Sequence, residues 1–320
     1  MCGFAALFSY ADDAPPVQAT ELDAINQAMT RRGPDGEGQW ISEDARIGLA
    51  HKRLAIIDLS NDAAQPMRVE TPKGALHISY NGEIYNFKKL RQELESEGIT
   101  FRTNSDTEVL LRLYERHGRQ VVSRLRGMFA FAIFDEQNQG MFLARDPFGI
   151  KPLYYRDDGE TFSAASQVKA LLAGLTAAGK PKPAFDPAGH AGFFLFGNIP
   201  EPHTLYKDIR ALPAGSTLWI DGNGPDKIEG YFDVAKQLAE AVEAGPVDNL
   251  DELLRDSVAH HFVADVPVGV FLSSGLDSAT LVGLASELQG AGLDTLTLGF
   301  DEFKGTANDE VPLAETIAGS

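Results

Sequence analysis

Cys2 is the only cysteine among 320 residues and directly follows the initiator methionine. It has two interpretations: a small apolar residue that opens a buried strand, or a nucleophile that becomes the first residue when Met1 is removed. In the second case the α-amino group of Cys2 itself is the base. Its ordinary pKa of about 7.7 to 8.0 suits it to accept the thiol proton near neutrality. Nucleophile and base would then share one residue.

Other stretches hold polar residues that could bind a small ligand. Arg31–Gly38, "RRGPDGEG", is a glycine- and proline-rich turn after a helix. Arg53 begins "RLAIID", which we predict to start an apolar strand, Asn81 and Gly82 lie at a strand end in "YNGEIYN", and Asp106 lies in a first helical turn. Each of these residues also has a structural interpretation. The stem of Arg53 would cover apolar atoms, Asn81 and Gly82 would form a hairpin turn, and the Asp106 carboxylate would interact with the helix dipole.

Taken in order with "RDPFGIKPLYY", these stretches resemble the class II, N-terminal-nucleophile glutamine amidotransferases over residues 2 to about 170. The resemblance implies that Cys2 is the nucleophile of a glutaminase. It also implies that Arg53, whose planar guanidinium matches a carboxylate, binds the α-carboxylate of glutamine. Asp106 is implied to pair with the α-ammonium. We interpret "RDPFGIKPLYY" as structural.

The same resemblance implies an oxyanion hole, made of the side-chain amide of Asn81 and the backbone N–H of Gly82. The tetrahedral intermediate formed by thiolate attack needs such donors, and each contributes about 10²–10³ in rate. Glu83 is implied to contact glutamine through its backbone.

A second motif, "GVFLSSGLDS" over Gly269–Ser278, predicts a strand, a small-residue loop and a helix. Such a loop directs backbone N–H groups toward an anion, although an ordinary tight turn between strand and helix has the same composition. It resembles the pyrophosphate-binding loop of ATP pyrophosphatases, with Ser274 where a glycine is usual. The resemblance implies that pyrophosphate lies among Ser273, Ser274, Gly275 and Ser278, that Asp277 holds Mg²⁺, and that Leu272 and Leu298 contact the nucleotide through their backbones.

The run "DSVAHHFVADVPVGVFLSSGLDS" is similar to the glutamine-hydrolysing asparagine synthetases. In that family ATP adenylates the β-carboxylate of aspartate, and ammonia displaces AMP. The implied cofactors are ATP and Mg²⁺, and the implied partners are glutamine and aspartate. Three alternatives stay open: amidation of another carboxylate on a sugar or peptide precursor, a fragment that is only a glutaminase, and a catalytically silent regulatory or scaffold protein.

Members of that family continue for a few hundred further residues. We therefore expect the chain to be a fragment, the product of a split gene or a truncated reading frame. On that expectation it hydrolyses glutamine without making asparagine by itself.

The elements that must position these residues fall into two classes. Strands and helices without regular alternation precede residue 170, which predicts an α+β layered arrangement. The resemblance implies that these layers form an αββα sandwich. A strand, a helix and a second strand follow residue 230, which predicts the first part of an α/β parallel-sheet domain. The predicted domains are 2–190 for the glutaminase, 191–229 for a connecting segment and 230–320 for the truncated ATP-pyrophosphatase part.

Composition narrows the function classes. The chain carries 28 Lys and Arg against 46 Asp and Glu, a net charge of −18, which disfavours nucleic acid and anionic membranes as partners. We see no signal peptide and no run long enough for a membrane helix. One cysteine cannot form an internal disulfide, which favours a reducing compartment. We expect a cytoplasmic protein and consider a homodimer.

Overall fold

Most of the predicted strands pair in two antiparallel sheets that belong to the first of two units, Met1–Ala241 and Val242–Ser320. The computed structural model describes residues 1–245, 249–290 and 292–319. The strands that begin in the first unit are β1 Gly3–Ser9, β2 Gly36–Ile41, β3 Ile47–Arg53, β4 Met67–Thr71, β5 Gly74–Ile84, β6 Gly127–Asp135, β7 Gly140–Arg145, β8 Tyr154–Asp157, β9 Thr161–Ala165, β10 Arg210–Ala211, β11 Ser216–Asp221, β12 Gly224–Pro225 and β13 Glu229–Gly230. The helices that begin there are α1 Ala19–Ala28, α2 Phe87–Ser96, α3 Asp106–His117, α4 Val168–Ala177, α5 Pro187–Phe196 and α6 Val234–Ala244.

The two sheets have the strand orders β10-β8-β9-β1-β3-β2 and β12-β11-β7-β6-β5-β4, and β13 also pairs with β11. Alternation along each strand sends one set of side chains between the sheets. Phe4 and Phe8 of β1 pack there with Phe134 of β6. The intervening Leu7 faces the other way, against Leu22 of α1.

Helices cover the two outer faces. α1 and α4 pack on the sheet that holds β1, with Ile25 and Leu171 buried between them. α3 packs on the sheet that holds β5, α2 packs against α3, and Tyr114 of α3 contacts Phe142 of β7 with ring centroids 5.6 Å apart. The predicted αββα sandwich is confirmed.

The predicted division of the chain needs a correction. Residues 191–229, taken from the sequence as a connecting segment, supply strands to both sheets, and the first unit extends to Ala241 rather than ending at residue 190. The reason lies in the tertiary structure. Leu218 and Ile220 of β11 are buried in the core between the sheets. β11 pairs with β7, which lies about 75 residues earlier in the chain. Proline and glycine around these short strands gave the segment the composition of a linker.

The second unit, as far as the structure describes it, contains the predicted strand, helix and parallel strand. Val270 pairs with Thr295 and Phe271 with Leu296 in a parallel register, as a helical crossover requires. Leu272, Val282 and Ala314 form one small buried cluster. The elements are α7 Leu250–His261, β14 Val270–Phe271, α8 Leu276–Gln289, β15 Thr295–Leu296 and α9 Val311–Ala318.

None of the helices within the described ranges has the length and apolar content that crossing a bilayer requires.

Candidate active site

Cys2 lies at the end of β1, beside the end of β3. Gly3 pairs with Lys52, so the next position along brings Cys2 level with Arg53. The Cys2 Sγ accepts a hydrogen bond from the Leu54 N–H at 3.3 Å and lies 3.5 Å from the Leu54 carbonyl oxygen, to which it donates. Burial raises the pKa of the Cys2 thiol. The thiol therefore needs help to ionise near neutral pH.

The "RGPD" turn fixes this end of β3. The Arg53 carbonyl accepts from the Asp35 N–H at 2.9 Å, and the Asp35 carboxylate accepts from the Ala55 N–H, also at 2.9 Å. A Cβ at Gly33 would lie within 3 Å of the backbone of Lys52 and Arg53, so only glycine permits this approach. Arg32, just before it, donates its Nε–H to the Cys2 carbonyl at 2.8 Å.

The prediction that Arg53 starts an apolar strand is wrong. Arg53 is the last residue of β3, and the chain leaves the sheet at Leu54. The loop that follows folds back onto the guanidinium. Its Nη1 donates to the Ser60 carbonyl at 2.8 Å and its Nη2 donates to the Asp58 carbonyl. These bonds use two of the five N–H donors and orient the planar group.

Asn81 lies within β5, so the alternative of an Asn-Gly hairpin turn is wrong. Two bonds fix this part of β5 against β3. His51 donates its Nε2–H to the Tyr80 carbonyl at 2.9 Å, and the Ser79 hydroxyl donates to the Ala50 carbonyl at 2.8 Å. Asn81 is two residues from Ser79 and therefore faces the same side, toward the sheet that holds β1 and β3. Its side-chain amide nitrogen is buried and has no hydrogen-bond partner among the described residues.

The N–H of Gly82 points away from β6. Its neighbour across the ladder is Phe129, whose N–H and carbonyl are both bonded to Asp146, at 3.3 Å and 2.8 Å. Gly82 and Phe129 are therefore a non-hydrogen-bonded pair. In agreement, the N–H groups of Tyr80 and Ile84, two residues to either side, donate to side chains off the strand.

Space also restricts position 82 to glycine. A Cβ there would lie within 3 Å of the Met128 carbonyl oxygen and of the Tyr80 ring. A backbone N–H can thus approach a ligand closely here.

Asp106 is the first residue of α3, which Ser105 caps by accepting the Thr107 N–H at 3.1 Å. The Asp106 Oδ2 accepts from the Tyr80 hydroxyl at 2.9 Å and from the Ile84 N–H at 3.0 Å. Burial raises the pKa of the Asp106 carboxyl to about 6. An ammonium beside it would favour ionisation.

Glu83 is on the same strand face as Asn81. Two further residues support the site: Tyr80, which orients Asp106, and Leu54, whose backbone holds the Cys2 thiol. No local signal marks either residue, because each acts on a partner more than 20 positions away.

The second unit brings three of the predicted loop residues together. The Ser273 and Ser278 hydroxyls lie 2.8 Å apart, and the Gly275 N–H donates to the Ser273 Oγ at 3.1 Å. α8 begins directly after Gly275, so its free N–H groups lie at this loop. Ser274 is between them in the chain and half-buried.

Leu272 and Leu298 follow the two parallel strands at the same edge. The Leu272 N–H donates to the Leu296 carbonyl at 2.9 Å, and the Thr297 hydroxyl donates to the Leu272 carbonyl at 2.8 Å. Leu298 itself is exposed. Asp277 is exposed in the first turn of α8, and no group of three or more metal-ligating side chains occurs in the described part of the chain.

Residues 1–232 match the family model described as a glutamine amidotransferase domain. The chain belongs to this family. Residues 249–320 match a second model, described as asparagine synthase. The amidotransferase match covers the whole two-sheet core.

Similar proteins agree with both matches. The chain is 37% identical over 303 residues to asparagine synthetase [glutamine-hydrolyzing] 1 of Bacillus subtilis, which covers 94% of this chain and 46% of that protein. It is 33% identical to asparagine synthetase [glutamine-hydrolyzing] 3 of the same organism, over 99% of this chain and 52% of that protein. The chain thus spans about half the length of these curated relatives.

The fold recurs in a solved structure of glutamine phosphoribosylpyrophosphate amidotransferase from Bacillus subtilis. The TM-score is 0.52 at 19% identity, over 98% of this chain and 70% of that one. At this identity the likeness concerns the fold alone.

Proposed function

We propose that the first unit hydrolyses glutamine at Cys2. The observation that carries the proposal is the buried, unpartnered amide nitrogen of Asn81 on the strand face toward β1 and β3. Burying an amide without a hydrogen bond costs about 1–3 kcal/mol, which an oxyanion bound in the transition state would offset. Gly82 supplies a second donor from the same strand.

The substrate contacts follow from the side chains at the strand ends. Arg53, oriented by two loop carbonyls, binds the α-carboxylate of glutamine. Asp106 accepts the α-ammonium, which holds the carboxyl ionised despite its burial. Glu83 contributes its backbone beside Gly82.

The base is the amino terminus of Cys2 after removal of Met1. In the chain that retains Met1, the terminal amino group has a lowered pKa because it is partly buried and lies near Lys151 and Arg32. The same surroundings would favour the neutral, proton-accepting amine of Cys2.

The reaction then has two halves. The amine takes the thiol proton, sulfur attacks the carboxamide carbon, and the carbonyl electrons move to an oxyanion held by Asn81 and Gly82. Collapse breaks the C–N bond and leaves a thioester, while the Cys2 ammonium gives its proton to the departing nitrogen, which leaves as ammonia. Water, deprotonated by the amine, next hydrolyses the thioester and releases glutamate and the free thiol.

For the second unit we propose asparagine synthesis from ATP and aspartate. The loop from Ser273 to Ser278 is suited to bind pyrophosphate at the N-terminus of α8. Mg²⁺ commonly uses one or two carboxylates together with phosphate oxygens and water, and the single carboxylate of Asp277 fits that donor set. Leu272 and Leu298 would contact the nucleotide by their backbones. In that reaction ATP activates the β-carboxylate and ammonia displaces AMP.

Product formation and nucleotide binding test the two parts. Purified protein is incubated with glutamine, with or without aspartate and Mg-ATP, and glutamate, pyrophosphate and asparagine are measured. We expect glutamate from the wild type and none from Cys2→Ala. Active protein must begin with cysteine in the mass spectrum. Glutamate production by Cys2→Ala would overturn the glutaminase proposal. We expect no pyrophosphate or asparagine from this chain alone, so the synthetase proposal is tested by binding of Mg-ATP, and failure of the purified protein to bind Mg-ATP would count against it.

The homodimer and the cytoplasmic location stay predictions from the sequence. Light scattering on the purified chain tests the first, and fractionation of the source cells tests the second.

A further inference from the structure

Gln65 is a buried carboxamide that joins two elements of the proposed glutaminase site. It lies two residues before β4 and is 8% exposed. Its Oε1 accepts the Tyr80 N–H of β5 at 2.8 Å, and its Nε2 donates to the Thr107 hydroxyl of α3 at 3.3 Å. Tyr80 and Thr107 are buried as well. Buried polar atoms are stable when they are paired, so these two bonds hold the Gln65 side chain in one position.

The side chain of Gln65 takes the place of a strand. Met67, the first residue of β4, pairs with Ile78, and the same register would set Gln65 opposite Tyr80. The backbone pairing stops at Met67, and the Gln65 carboxamide bonds the Tyr80 N–H instead. On the same edge of β5, His51 bonds the Tyr80 carbonyl at 2.9 Å. Side chains therefore fix both backbone groups of the residue that precedes Asn81.

Three N–H groups follow one another along this edge of β5, which faces away from β6. They belong to Tyr80, Gly82 and Ile84. Gln65 accepts the first, and the Asp106 Oδ2 accepts the third at 3.0 Å. Gly82 lies between them and carries the N–H that the proposed function assigns to the oxyanion. Gln65 and Asp106 therefore bond the strand on either side of that donor.

The two sides are also connected to each other. Gln65 bonds Thr107, which directly follows Asp106 in the first turn of α3. Asp106 in turn accepts from the Tyr80 hydroxyl at 2.9 Å. Strand β5 and the start of α3 are thus joined by side chains on both sides of Gly82. This fixes the donors for the oxyanion relative to the carboxylate for the α-ammonium.

We propose that Gln65 is a positioning residue that holds the segment Tyr80–Gly82 in the place where it binds the oxyanion. The inference rests on the proposed glutaminase function, since it deepens the account of the same site. Gln65 acts through Tyr80 on the next two residues, Asn81 and Gly82. A hydrogen bond weakens steeply with distance and angle, so a small shift of these donors should cost much of their effect.

Steady-state kinetics of glutamine hydrolysis test the proposal. Gln65→Met nearly keeps the length of the side chain but removes both bonds. We expect kcat to fall by about 10- to 100-fold and KM to change by less than about threefold, because misplaced oxyanion donors weaken mainly the transition state. Thr107→Val removes only the acceptor on α3 and should lower kcat by about two- to fivefold. The double variant should be no slower than Gln65→Met, since both residues act through one link.

Tyr114→Phe is the matched control. It removes a buried side-chain hydrogen bond, to Asp135, from the same helix α3. It should leave kcat and KM within about twofold of the wild type, because this bond does not reach β5 near Gly82. Equal losses of kcat in Tyr114→Phe and Gln65→Met would show that lost stability rather than position is responsible. Alkylation of Cys2 at the wild-type rate shows that a variant is folded.

An unchanged kcat in Gln65→Met, or a loss confined to KM, would overturn the proposal. If Gln65→Met does not fold, an unchanged kcat in Thr107→Val has the same consequence. A wild type that does not hydrolyse glutamine would instead overturn the proposed function, whatever the variants show.

Discussion

The side-chain amide of Asn81 and the guanidinium of Arg53 differ in how the fold leaves them. The Asn81 nitrogen is buried and unpartnered in the described part of the chain, whereas Arg53 is already bonded to two loop carbonyls. The Asn81 amide can donate a hydrogen bond to the oxyanion that forms in the reaction. The Arg53 guanidinium is oriented before any ligand binds. Their substitution should therefore affect different kinetic constants.

Asn81→Ala should lower kcat for glutamine hydrolysis by about 10²–10³ with little change in KM. The amide stabilises an oxyanion that exists only after the thiolate has attacked. Steady-state glutaminase kinetics measure both constants, and normal alkylation of Cys2 serves as the folding control. A change confined to KM would contradict the assigned role.

Arg53→Lys should raise KM by about 10- to 100-fold and leave kcat nearly unchanged. A lysine keeps the charge but cannot bind Asp58 and Ser60 while presenting a planar pair of donors to a carboxylate. Steady-state kinetics of glutamine hydrolysis measure KM and kcat for this variant. If kcat falls and KM stays the same, Arg53 does not hold the ground-state substrate.

At the scale of elements, the ends of β1, β3 and β5 carry the proposed glutaminase site, and the "RGPD" turn holds β3 in place. The turn reaches β3 only because Gly33 has no side chain: a Cβ would lie within 3 Å of the Lys52 and Arg53 backbone. Asp35 then bonds the strand end from both its N–H and its carboxylate.

Gly33→Ala should therefore reduce glutaminase activity strongly and lower the free energy of unfolding by about 1–3 kcal/mol. The added methyl group forces the turn away from β3 and displaces Arg32 and Arg53 with it. Gly222→Ala is the matched control, since no atom lies within 4 Å of the Cβ position there. Equal effects of the two substitutions would show that close approach at position 33 is unimportant.

At the scale of the whole molecule, His51 joins the two sheets through its bond to the Tyr80 carbonyl. Burial lowers the pKa of His51 to about 4, so the folded chain keeps it neutral. The unfolded chain binds a proton near pH 6.5, so stability contributed by His51 is present above that pH. It is lost as the pH falls from about 6.5 to 4. Asp106, with its raised pKa, acts with the opposite sign between about pH 6 and 4.

His51→Gln isolates the first effect, because Asp106 is common to both proteins and glutamine can still donate to Tyr80. Between pH 7 and 5, the free energy of unfolding of wild type should fall by about 2 kcal/mol more than that of the variant. Tryptophan fluorescence during urea unfolding reports on the first unit alone, since Trp40 and Trp219 both belong to it. If the free energies of unfolding of wild type and His51→Gln changed in parallel with pH, the pKa of His51 would be the same in the folded and the unfolded chain.

The sequence by itself determined the chemistry at single positions and the local elements. Cys2 behind Met1, the glycine of "NGE" and the apolar alternation of β1, β6 and β7 are properties of a few adjacent residues. They predicted the layered fold, which the structure confirms, and the family resemblance that they carry implied the site residues. The strand and helix around the "SSGLDS" loop were equally local, and the structure confirms them too.

Only the tertiary structure decided which distant residues meet. It placed Arg53 at the end of β3, added residues 191–229 to the sheets, and joined Gln65 to both β5 and α3. In it the Glu108 carboxylate accepts from the Arg102 and Thr103 N–H groups. The physical reason is that these contacts join segments through antiparallel registers and buried side chains. Their partners are set by how the whole core packs, which no local spacing encodes.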